Sequence, residues 1–161
     1  MKFNPCELNG FAFLEFSGPE VRYIHNQFTQ MGFTKTADHI NQPVSLYQQG
    51  NIEFIVNDAE NCQASSHATI HGAGACAMGF RVKDAEKALS YALSHGAELF
   101  HDNPHVNHQL PAIKAIGGSV IYFVDEDHQP FANDWCRDSN NATQHPGVGL
   151  TEIDHLTHNV F

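Results

Sequence analysis

Two stretches of this chain repeat one another, and that repeat restricts the fold more than any other feature. Phe11 to Phe33, FAFLEFSGPEVRYIHNQFTQMGF, reads strand, turn, helix, glycine; Ala75 to Ala97, ACAMGFRVKDAEKALSYALSHGA, reads the same way. Further along, Gly50 to Asp58 (GNIEFIVND) is answered by Gly118 to Glu126 (GSVIYFVDE), each a glycine, an apolar strand and acidic punctuation. A copy of this size cannot bury its own apolar face, so the two copies must share a core.

Periodicity supplies the elements. Val21, Ile24, Phe28 and Met31 recur at helical spacing and predict one buried stripe, with Pro19 near the first turn. Ala85, Ala88 and Ala92, with Leu89 and Leu93, predict a narrower stripe in the second copy, opened by Asp84 as N-cap. Gly32 and Gly96 stand where each helix should end. Strands are expected at Thr34–His39, Val44–Gln49 and Ile52–Asn57, and again at Glu98–His101, Leu110–Ile116 and Ser119–Val124, with turns at Asn41-Gln42-Pro43, Gly50-Asn51 and Gly117-Gly118. The fold class is therefore α+β: two β-α-β-β-β modules, about 9–57 and 74–125, forming a half-open, cupped, barrel-like sheet. Residues 59–72 read as a connector with a short helix, and 126–150 as a linker with one short strand near Phe131–Cys136. A cup of this kind offers a concave floor to a ligand.

Composition removes several function classes. The net charge is −10 with only eight Lys and Arg, which do not cluster, so a nucleic-acid partner is not expected. No basic membrane-binding face and no run of 18 apolar residues exists, and MKFNPCELNG lacks the apolar stretch of a signal peptide, so no membrane partner is expected. Cys6, Cys62, Cys76 and Cys136 contain no C-x-x-C pair and read as free thiols of a reduced, cytoplasmic protein. No G-x-S-x-G occurs, and Gly72-Ala73-Gly74 precedes a strand instead of opening a helix, so neither a nucleophile elbow nor a dinucleotide loop is present. Asp125, Glu126 and Asp127 read as a solvated strand exit. His101, His105 and His108 read as a polar loop against the alternative of an adventitious metal site, and His67 with His71, four apart in the connector, as an exposed pair.

The chain stops on GLTEIDHLTHNVF. Ile153, Leu156, Thr157 and Val160 favour a strand. In a strand His155 and His158, three apart, face opposite ways, so at most one of them can be a metal ligand. EIDHLTHNV resembles the start of the catalytic domain of the 4-hydroxyphenylpyruvate dioxygenases, members of the vicinal-oxygen-chelate fold. FAFLEF, MGFTK, LYQQGNIEFIVN, AMGFRVKDAEKA and LPAIKAIGG resemble that family's N-terminal domain, especially in its bacterial branch, so the likeness runs through the whole chain.

The resemblance implies a domain plan of 1–125 as the N-terminal vicinal-oxygen-chelate domain, 126–150 as linker, and 151–161 as the first strand of a truncated catalytic domain. It implies a full-length enzyme that holds Fe(II) with two histidines and a carboxylate, and converts the 2-oxo acid 4-hydroxyphenylpyruvate and O2 to homogentisate and CO2 in tyrosine and phenylalanine breakdown. His155 matches the first ligand; the others would lie beyond residue 161, no catalytic residue falls within this chain, and the chain alone is expected to be inactive. The protein's partners would be its own C-terminal catalytic domain and further copies in a homo-oligomer. Overlaying the tail on the repeats puts Phe11 and Ala77 at the ligand position, and Phe123 near the glutamate position, so no metal is expected in the N-terminal cup. The competing reading is a non-catalytic binding or assembly domain, or a haemolysin- or pigment-associated relative.

Overall fold

The computed structural model describes residues 4–101, 110–127, 134–137 and 147–158. The first copy comprises β1 (Leu8–Ser17), α1 (Val21–Gln30), β2 (Thr34–His39), β3 (Val44–Gln49) and β4 (Ile52–Asn57). The connector forms α2 (Gln63–His71). The second copy comprises β5 (Gly74–Val82), α3 (Ala85–Ser94), β6 (Ala112–Lys114) and β7 (Val120–Asp125), with a 3-10 turn at Ile116–Gly118, and β8 (Trp135–Arg137) follows.

These strands make one open sheet in the order β6-β7-β5-β1-β4-β3-β2-β8. The repeat is visible in the pairing. Each copy starts on a strand that runs parallel to its own last strand, β1 with β4 and β5 with β7, and the two copies join through the antiparallel pair β1–β5.

The first copy matches its predicted strands, while the second is reduced. The strand expected at Glu98–His101 survives as a single bridge from Leu99 to Ile113, and the one expected at Leu110–Ile116 shortens to three residues. Pro111 explains part of this, since it has no N–H to give a ladder; its carbonyl instead accepts from Phe123 N. The short strand expected near Phe131–Cys136 lies at Trp135–Arg137 and covers the edge of β2.

Both helices end as expected. Gly32 (φ +84°) and Gly96 (φ +93°) each follow the C-cap in the left-handed region. Asp84 caps α3, its Oδ1 accepting from Lys87 N at 3.0 Å. Two expectations for α1 need correction. Pro19 lies before the N-cap Glu20, outside the first turn, and Met31 is the C-cap, 45% exposed instead of buried in the stripe. The helix stops one residue short of that next apolar position.

Alternation sorts the core into two faces. Against α1 lie Phe16, Phe54, Tyr47, Ile52 and Val56, packed on Ile24, Phe28 and Phe33. Against α3 lie Val82, Ile121 and Phe123, packed on Ala85 and Ala88. Cys76 meets Ala59, Cys62 and Ala64 around α2. The opposite, inner face carries Phe13, Leu46, Ile55, Ala77, Val120, Tyr122 and Val124.

Candidate functional site

The middle of the inner face is filled with carbon. The Phe13 ring lies over Gly79, where an added Cβ would stand 2.6 Å from Phe13 Cε1, and packs against Tyr122 with ring centroids 5.8 Å apart. Of the three positions that the repeat aligns with metal ligands, only Ala77 faces this side. Phe11 pairs with Phe80 on the helix side, because β1 carries a register shift between Phe11 and Phe13. Phe123 is buried under α3. A bulge turns the residues before it to the other face, and an overlay of sequences does not register it.

What does reach the inner face is Glu15. It pairs across the sheet with Ala77, is 3% exposed, and its Oε1 accepts from Asn57 Nδ2 at 2.6 Å. Asn57 Oδ1 in turn accepts from Ala59 N at 2.9 Å, tying β1 and β4 to the connector. Its signal was present in the sequence: one acid inside the apolar strand FAFLEF. At the other end of this face, Glu53 accepts from Gln48 Nε2 at 2.8 Å. Burial pushes the Glu53 carboxyl above its usual range, against the pull of the Gln48 bond and of Arg81 and Arg137.

Glu53 and Arg81 open onto a cavity of about 470 Å³, which Asn9, Phe11, Glu152 and Ile153 also line. The tail therefore crosses the end of the sheet. Gln49, fully buried, holds it there: Nε2 donates to the Met31 carbonyl, while Oε1 accepts from Val148 N at 2.7 Å and Leu150 N at 3.3 Å. Asn51 N donates to the Thr151 carbonyl at 3.1 Å. Sequence reasoning passed over Gln49 because nothing local distinguishes a buried glutamine from an exposed one.

Residues 151–158 form no strand, contrary to expectation. A strand exists by pairing, and the tail's ladder-like contact among the described residues is that one bond to Asn51. His155 and His158 are both exposed, so strand alternation does not separate them here. His155 Nδ1 lies 2.6 Å from Asp154 Oδ2.

Iron of the two-histidine, one-carboxylate kind needs three donors on one side of the metal. Among the described residues no three of His, Cys, Asp and Glu gather in that way. The donors among the described residues do not fit an iron site.

His101 is exposed, while His105 and His108 lie outside the described residues. Asp125 is exposed at a strand exit as expected, and it also has a structural task, its Oδ1 accepting from Ala85 N at 2.6 Å at the start of α3. Of the expected exposed pair, His71 is exposed but His67 is half-buried, and the two are drawn together with ring centroids 4.4 Å apart. Burial, with the coulombic effect of Glu15 and Cys62, pushes the Cys76 thiol well above its ordinary range, so it is inert. Among the described residues no helix is long and apolar enough to cross a membrane.

Two β-α-β-β-β copies, joined through β1 and β5 into one open sheet with helices on one side, define a vicinal-oxygen-chelate protein. The chain belongs to the hydroxyphenylpyruvate dioxygenase N-terminal family, which matches residues 3–133. The 4-hydroxyphenylpyruvate dioxygenase of Legionella pneumophila (strain Corby) is 60% identical over 158 residues, covering 98% of this chain and 45% of that protein. Hemolysin VllY of Vibrio vulnificus (strain CMCP6) is 38% identical over 165 residues, covering 98% of this chain and 46% of the relative. Among solved structures, a xylose isomerase-like TIM barrel/4-hydroxyphenylpyruvate dioxygenase fusion protein superposes with a TM-score of 0.83 at 30% identity, over 94% of this chain and 24% of that one. The chain thus spans about half the length of the curated relatives it matches.

Proposed function

We propose that these residues serve as the N-terminal half of an Fe(II)-dependent 4-hydroxyphenylpyruvate dioxygenase, which forms homogentisate and CO2 from 4-hydroxyphenylpyruvate and O2. The observation that carries this is the 60% identity to the Legionella enzyme along almost the whole chain. In this reading residues 1–125 are a non-catalytic vicinal-oxygen-chelate domain, 126–150 a linker, and 151–161 the entry to the catalytic half. Its working place is the cytoplasm, in a homo-oligomer. Bound iron would supply the oxidative chemistry. The chain's own contribution is one imidazole, His155, and the scaffold that delivers it, with Gln49 and Asn51 fixing where the tail leaves the sheet.

The test joins these 161 residues to the remaining half of the Legionella relative. The joined protein should form homogentisate, and the 161 residues alone should consume no O2 with Fe(II) and 4-hydroxyphenylpyruvate. His155→Ala should lose iron and product, while His158→Ala should keep both. Equal loss in the two variants would reject His155 as the particular ligand. The likeness to a protein named hemolysin favours a second arm: lysis of erythrocytes without homogentisate would replace the enzyme reading with a toxin one.

A further inference from the structure

We propose that His67 and His71 form a two-histidine site for a tetragonal divalent transition metal, Cu(II) in preference to Zn(II), on the flank of α2 beside the Gly117 turn. The helix sets the spacing: residues four apart stack on one face, and His67 and His71 lie along the edge of the buried face that Ala64 and Ala68 turn to the sheet. The imidazole rings stand with centroids 4.4 Å apart and planes inclined by 39°.

A second contact prepares one of the two rings. His71 Nε2 lies 2.7 Å from the Gly117 carbonyl oxygen, at the 3-10 turn of the second module. A carbonyl can only accept, so Nε2 carries the proton, and neutral His71 keeps its lone pair on Nδ1. Ring N–H to backbone carbonyl is the arrangement that orients a metal-binding histidine and raises its basicity.

The distance selects the metal. With metal–nitrogen bonds near 2.0–2.1 Å, an ion shared by both rings sits roughly 3.2 Å from each centroid, in the ring plane along the donor nitrogen's lone pair. Centroids 4.4 Å apart then subtend about 90° at the ion, the cis angle of tetragonal copper or nickel. A tetrahedral angle would need roughly 5.2 Å. Solvent completes the coordination, since His71 is itself exposed. Such a site clips α2 to the second module through Gly117 and is independent of the dioxygenase reading.

The test titrates Cu(II) into the whole 161-residue protein, with equilibrium dialysis for affinity and pulsed EPR to count equatorial imidazoles. The tightest equivalent should show two imidazoles. His67→Gln and His71→Gln should each weaken it by more than about tenfold and reduce the imidazole count, with circular dichroism confirming the fold. His95→Gln, a surface control, should change neither. Unchanged copper binding in His67→Gln, equal weakening in His95→Gln, or Zn(II) binding the pair as tightly as Cu(II) would overturn the proposal.

Discussion

The two modules share one plan and fill it with different material. The first packs aromatic rings under its helix: Phe28 meets Phe16, Phe54 and Phe33 with centroids 5.0, 4.9 and 5.8 Å apart, and Phe33 stacks on Phe54 at 4.5 Å. The second packs alanines, Ala85 and Ala88, against Val82 and Phe123. The first keeps every strand of its plan, while the second loses one to a single bridge at Leu99. The difference teaches that the β-α-β-β-β plan tolerates very unequal cores, because β1–β5 and the shared inner face make one cooperative body from the two copies.

The largest test of that inequality is Phe28→Ala, expected to cost about 3–5 kcal/mol in denaturant unfolding, since it empties the centre of the aromatic cluster. Leu89→Ala, on the half-buried side of α3, should cost less than about 2 kcal/mol. Equal costs would erase the contrast between the modules.

Next comes the inner face where they meet. Gly79→Ala should destabilise by about 1–3 kcal/mol, because its Cβ would press on the Phe13 ring. Combined with Phe13→Leu, the loss should be smaller than the sum of the two single changes. Strict additivity would mean that the ring moves aside freely and the modules do not interlock there.

Smaller still is the helix start. Asp84→Ala removes the cap of α3 and should cost about 1 kcal/mol in thermal unfolding, whereas Glu20→Ala at α1, which has no side-chain cap bond, should be close to neutral. A matching loss at Glu20 would contradict the asymmetry.

The subtlest contrast is with pH. His25 of α1 lies 2.8 Å from Tyr47 Oη, and burial, then Lys35, holds its pKa below the ordinary 6.5. The unfolded chain then binds the proton more readily than the folded one, so the stability His25 contributes is full above 6.5 and falls as pH drops through 6.5 toward the folded value. His25→Gln should flatten that part of the stability profile; an unchanged slope between neutral and mildly acidic pH would remove His25 as its source.

Much of this protein was determined by the sequence itself, wherever the cause is local. The repeat, the three strands of the first copy, the Asp84 cap and the helix-ending Gly32 and Gly96 follow from spacing and backbone preference within a few residues. Long motifs such as LPAIKAIGG also carried the family, which the match over residues 3–133 shows. Tertiary structure decided whatever depends on register or on a distant partner. The shift in β1 sent Phe11 to the helix side and left Glu15, bound to Asn57, on the inner face. The turn at Gly117 oriented His71 from 46 residues away, and Gln49 became the anchor of the tail by reaching Val148 and Leu150. Strand alternation is a rule about parity. A single bulge reverses it, and a hydrogen bond across the fold leaves no period in the sequence to read.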